Sequence, residues 1–166
     1  MVGAKKKLHI RTFGCQMNVA DAELMAQVLG QEYDLTTRAE DADLYLINTC
    51  AIRRKSEEKV KSLLGSLKPL KRARPQLILG VGGCVAQQEG ERLLAFAPHL
   101  NLVFGTKGIY RLPELVDRAG RGERVVDVAL EWDCPDLPQR LWSPGTVRTM
   151  VTIMRGCDNF LSLIHI

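Results

Sequence analysis

The sequence predicts a doubly wound α/β fold, a parallel sheet covered by helices on both sides. Three observations carry that expectation. Short apolar runs recur at 43–49, 76–82 and 101–105, segments with helical apolar spacing separate them, and glycine, proline or asparagine marks the joins. A continuous apolar strand needs cover on both faces, and strands alternating with helices at this spacing form right-handed crossovers on a parallel sheet.

Taken in order, "KLHIRTF" (7–13) reads as the first strand, and "NVADAELMAQVLG" (18–30) as a helix with Asn18 as N-cap and Gly30 at its end. Leu24, Met25, Val28 and Leu29 would form its buried stripe. "DLYLINT" (43–49) is the second strand, and Val60, Leu63, Leu64 and Leu67 recur at helical spacing in 53–68. Pro69 and Pro75 then bracket an expected turn. "QLILGVG" (76–82) is a third strand, a helix near 89–97 stops before Pro98, and "NLVFG" (101–105) is a fourth strand. The last helix, 109–120, carries Ile109, Leu112, Val116 and Ala119 on one face and accepts Pro113 in its first turn.

Composition changes at 131–145, where three prolines and two tryptophans appear without periodicity, as in a linker between domains. The expected organisation is one domain over 1–130, a linker over 131–145, and over 146–166 the first strand of a second domain that is opened and not built. The 166 residues suffice for one sizeable core, and 46% hydrophobic with 25% charged residues is ordinary for a globular chain. No run of 18 apolar residues exists to span a bilayer, and Lys5, Lys6 and Lys7 precede no secretory core. A cytoplasmic monomer without membrane association is the expectation. The net charge of +4 is concentrated in the lysine-rich start and in "KPLKRAR" (68–74). Such charge modestly favours a polyanionic partner, but a solvated helix end whose cations complement the helix dipole is the preferred reading.

The five cysteines, an odd number, argue against a disulfide framework. Cys15, Cys50 and Cys84 each fall within a few residues of the carboxyl end of a predicted strand, where an open parallel sheet places its ligand site. Glycines flank two of them, at Gly14 and at Gly82 and Gly83, and permit sharp turns and close backbone approach. A single cysteine at a strand end is most often plain core. Three at matching positions, near helix starts that favour thiolate, point instead to one shared metal site: iron–sulfur, or zinc with a further ligand. Cys134, in the proline-rich stretch, is incidental. His9, His99 and His165 have no ligand spacing to the cysteines.

In sequence, "GCQMN", "NTCAIR" and "GGCVAQQEGE" resemble the N-terminal domain of the radical-SAM methylthiotransferases, most closely the branch acting on N(6)-dimethylallyladenosine in tRNA. The resemblance runs from the first strand through "MRGCDNF". It implies that Cys15, Cys50 and Cys84 hold an auxiliary 4Fe-4S cluster and that a radical-SAM barrel follows the linker. In that family a CxxxCxxC loop binds a second 4Fe-4S cluster, whose open iron takes S-adenosylmethionine. Cys157 matches the first position of that loop, whereas Leu161 and Ile164 stand at the other two. One cysteine does not hold a cluster, so the chain as written is expected to lack radical chemistry. A truncated or frame-disrupted copy with "LSLIHI" as a non-native tail is the expected reason.

The implied activity is methylthiolation of carbon 2 of dimethylallyladenosine beside the anticodon, with tRNA and S-adenosylmethionine as partners of the intact enzyme. Two alternatives compete. One is a relative in the same family that modifies a ribosomal-protein aspartate or threonylcarbamoyl-adenosine; the motifs around Cys15 and Cys50 favour the dimethylallyladenosine branch. The other is a non-catalytic iron–sulfur or nucleotide-binding module, but "GVGGC" lacks both the phosphate-loop Lys-Ser/Thr pair and GxGxxG spacing.

Overall fold

The computed structural model describes residues 4–14, 16–50 and 54–129. Six strands, β1 (Lys6–Thr12), β2 (Tyr33–Leu35), β3 (Leu44–Thr49), β4 (Ile78–Gly83), β5 (Leu102–Phe104) and β6 (Val125–Asp127), form one sheet in the order β2-β1-β3-β4-β5-β6. Every neighbouring pair is parallel. The helices are α1 (Gln16–Leu29), α2 (Arg54–Ser66), α3 (Lys68–Ala73), α4 (Cys84–Glu89), α5 (Glu91–Phe96) and α6 (Leu112–Gly120), with 3₁₀ turns at Ala39–Asp41 and Thr106–Arg111. The predicted doubly wound α/β class is the observed one.

Side-chain alternation on the central strands explains the two layers. Leu44 and Leu46 of β3 join α1 (Leu24, Met25, Leu29) and α6 (Leu112, Leu115, Val116, Ala119) in one core. Tyr45 and Ile47, one residue out of phase, join α2 (Val60, Leu64) and α5 (Leu93, Leu94) in the other. Because successive Cβ atoms point to opposite faces, a strand feeding both cores must be apolar throughout, and all six residues of β3 are buried. Two glycines in β4 serve this packing. A Cβ on Gly80 would come 2.7 Å from Leu46 Cδ2, and the Phe104 ring lies over Gly82.

Several sequence expectations are corrected. The stretch between Pro69 and Pro75 is α3, with Pro69 in its first turn, where its missing N–H costs no helical bond. The helix expected near 89–97 is α5, and a further helix not read from sequence, α4, precedes it across Gly90, whose φ is +46°. Three-residue strands β2 and β6 are additional to the four predicted. Helix α1 starts at Gln16, so Asn18 lies inside its first turn and is not the N-cap. Ile109 lies in the 3₁₀ turn before α6, although it is buried in the same core. The proposed linker and second-domain strand, 131–166, lie outside the described residues. Among the described residues no helix is long and apolar enough to cross a membrane.

The basic stretch 68–74 has a structural task at the amino edge of the sheet. Lys71 Nζ donates to the carbonyls of Pro75 (2.9 Å) and Leu77 and to Asn101 Oδ1 (3.1 Å). Burial pushes the Lys71 ammonium below its ordinary range. Arg74 donates to Glu40 O at 2.5 Å and to Asp43 Oδ1 at 2.9 Å, while Asp43 Oδ2 accepts from Lys7 N at 2.8 Å. These cations close the turns that feed β3 and β4, a tighter role than the solvated helix end read from sequence.

Candidate functional site

The strand order reverses direction between β1 and β3, and the crevice outside the carboxyl ends at such a switch point is where open α/β sheets bind ligands. Register places the cysteine-bearing loops there. Thr12 of β1 pairs with Asn48 of β3, and Thr49 of β3 with Gly83 of β4. Cys50 follows β3 directly and is 4% exposed; Cys84 follows Gly83 as the first residue of α4 and is half-buried. Cys15, Cys134 and Cys157 lie outside the described residues. Among the described residues no group of three His, Cys, Asp or Glu side chains stands at metal-binding distance, a set that contains Cys50 and Cys84 without Cys15.

Two glycines show how closely the three loops approach. Gly14, with φ +145°, sits against β3: a Cβ there would come 2.5 Å from the Cys50 Cβ and would overlap Asn18 Oδ1. Gly83, with φ +94° and ψ −160°, lies against the Thr49 backbone, 3.0 Å from its nitrogen to the would-be Cβ. That conformation is reserved almost wholly for glycine. The backbone immediately before position 15 therefore touches Cys50, and the residue before Cys84 touches the residue before Cys50.

Neutral, buried hydrogen bonds hold this arrangement. Phe13 N donates to Asn48 O (2.8 Å), Asn48 Nδ2 to Asn18 O (2.6 Å), and Asn18 Nδ2 to Thr49 O (2.9 Å) and Asn48 Oδ1 (3.3 Å). Thr49 Oγ1 donates to Gly82 O at 2.7 Å. Asn18 is 4% exposed, and Asn48 and Thr49 are fully buried. Sequence reasoning assigned none of these bonds. The available signal was "NT", two polar residues ending an otherwise apolar strand.

The two histidines among the described residues are engaged elsewhere; His165 lies outside them. His9 Nδ1 lies 3.0 Å from Thr36 O, with its ring beside Tyr45, and His99 Nε2 lies 2.7 Å from Leu64 O. Near the start of α1, Met17 and Val19 are 46% and 47% exposed.

Fold and site together define a class: a doubly wound α/β domain that gathers cysteine-bearing loops at the switch point of a parallel sheet. Residues 7–105 match the family described as "Uncharacterized protein family UPF0004", and the chain belongs to that family. It is 51% identical over 162 residues to the tRNA-2-methylthio-N(6)-dimethylallyladenosine synthase of Geotalea uraniireducens, covering 95% of this chain and 37% of that protein. Identity to the protein of the same name from Geobacter metallireducens is 52% over 161 residues, 95% of this chain and 36% of that one. With the Cereibacter sphaeroides protein of that name it is 51% over 158 residues, 93% and 36%. The chain thus spans little more than a third of the length of these curated relatives.

Proposed function

We propose that this chain forms the auxiliary-cluster domain of a tRNA methylthiotransferase, the enzyme type that adds a methylthio group to carbon 2 of N(6)-dimethylallyladenosine next to the anticodon. In this reading Cys15, Cys50 and Cys84 supply three thiolates to a 4Fe-4S cluster. S-adenosylmethionine and a second 4Fe-4S cluster, for which Cys157 occupies the first motif position, belong to the longer enzyme. The chain alone binds the auxiliary cluster and does not turn over. Its setting is the cytoplasm, with tRNA as macromolecular partner and a monomeric state.

The observation that carries the reading is the convergence of three strand ends: Gly14 against Cys50, and Gly83 against Thr49, with a cysteine directly after Gly14, Thr49 and Gly83. The donor set fits, because thiolates are the ordinary protein ligands of iron–sulfur clusters. When bound, such a cluster with three protein ligands supplies one iron open to an exogenous sulfur. The chain's own residues bind and shield. Gly14 and Gly83 let the loops close without side chains between them, and burial of Cys50 keeps bulk water from its sulfur.

Anaerobic reconstitution with ferrous iron and sulfide tests the reading. The chain is expected to take up about four irons and to show a broad brown charge-transfer absorbance. Cys15→Ala, Cys50→Ala or Cys84→Ala should each abolish it, and Cys134→Ala should leave it intact. Undiminished iron uptake in the triple cysteine variant would overturn the assignment.

A further inference from the structure

We propose that Asn48 is the positioning residue of this site: a single buried amide that sets the spacing of all three cysteine-bearing loops before any metal is bound. The proposal rests on the assignment of a cluster to Cys15, Cys50 and Cys84.

Asn48 meets the chain on both sides of position 15, at Phe13 and at Asn18. Its backbone oxygen accepts from Phe13 N at 2.8 Å, ahead of the cysteine. Its side chain grips the first turn of α1, Nδ2 donating to Asn18 O at 2.6 Å and Oδ1 accepting from Asn18 Nδ2 at 3.3 Å. Two residues on along β3 comes Cys50. The same Oδ1 faces β4, 2.8 Å from the position a Gly83 Cβ would occupy, so Asn48 is wedged between the loop of the first cysteine and that of the third. Thr49 completes the brace through its 2.7 Å bond to Gly82 O.

A buried amide whose donors and acceptors are satisfied is held in one orientation, because each alternative strands a polar group away from water. Asn48 is also uncharged, so it fixes the loops without adding a counter-charge that would bias ligand ionisation. Groups that orient metal ligands from behind typically change metal affinity 10- to 100-fold when removed.

The test compares reconstituted wild-type chain with Asn48→Ala, Thr49→Val and Thr49→Ser. A further control, Leu64→Ala, opens a cavity in the fully buried core near the opposite edge of the sheet. Iron release to a chelator is timed where circular dichroism shows each iron-free chain folded, and the reduced cluster is examined by electron paramagnetic resonance. Asn48→Ala should release iron about 10- to 100-fold faster with an altered resonance. Thr49→Val should show a smaller change in the same direction, and Thr49→Ser and Leu64→Ala should behave as wild type. Wild-type release from Asn48→Ala, or equal acceleration by Leu64→Ala, overturns the proposal. If Asn48→Ala does not fold, the threonine pair decides, and indistinguishable Val and Ser variants overturn it. A wild-type chain that takes up no cluster instead overturns the assignment on which the proposal rests.

Discussion

The loops at the amino edge of the sheet and those at the carboxyl ends of β1, β3 and β4 are held by opposite kinds of side chain. At the amino edge, long cations reach across to carbonyl oxygens: Lys71 to Pro75 and Leu77, Arg74 to Glu40, and Arg124 to Leu94 at 2.5 Å. At the carboxyl ends of β1, β3 and β4, short neutral groups (Asn18, Asn48 and Thr49) make the equivalent bonds and glycines let the backbones touch, whereas the end of β6 keeps a cation, Arg111 on Asp127 at 2.6 Å. Long side chains span wide turns and keep their heads near water. Short amides fix distances over a few ångströms and bring no charge. The first arrangement suits closing a fold, and the second suits presenting ligands at set distances.

Substitutions at each edge can break this contrast. The largest effect is expected at Gly83→Ala, where a φ of +94° and the crowding against Thr49 both oppose a side chain. The cost should be about 3 kcal/mol in chemical denaturation, with loss of iron uptake in the refolded protein. Lys71→Met at the amino edge removes charged donors from partly buried carbonyls and should cost about 2 kcal/mol while leaving iron uptake at the wild-type level. Equal loss of iron uptake in both variants would show that the edges are not independent.

A finer effect concerns Tyr33, the first residue of β2, whose buried phenol is pushed from 10.0 to about 12, first by burial and then by the charges of Glu32, Asp43 and Asp117. Between those two values the unfolded chain has released a proton that the folded chain keeps. The associated stability is therefore complete below pH 10.0 and is lost as pH rises to about 12. Tyr33→Phe should flatten the alkaline fall in denaturation midpoint over that window, and an unchanged slope would assign the fall to other groups.

The long elements were legible because their signal is burial. β3 and β4 are wholly buried and read as apolar runs, and the α1 and α6 stripes follow helical spacing. β2 and β6 were not, because three residues carry no periodicity and their existence depends on pairing with β1 and β5. α4 was missed because "GGCVAQQ" combines turn-forming glycines with a weakly apolar helix. For the site, positions of cysteines relative to strand ends were visible in the chain. The role of Asn18 was not: a polar residue before an apolar helical stripe resembles an N-cap, and only the tertiary fold reveals β3 beside it. Likewise Gly82 reads as permitting close backbone approach beside Cys84, whereas its missing side chain makes room for Phe104.

The step-by-step pairing of β3 with β4, from Leu44 opposite Ile78 to Thr49 opposite Gly83, makes the two strands a measuring rod. Deleting one residue within either would exchange inward and outward faces along its length, setting Leu79 and Val81 where Gly80 and Gly82 now admit Leu46 and Phe104. Homologous chains should therefore absorb insertions in the connections ahead of the strands while keeping the count from Leu44 to Cys50 and from Ile78 to Cys84 constant.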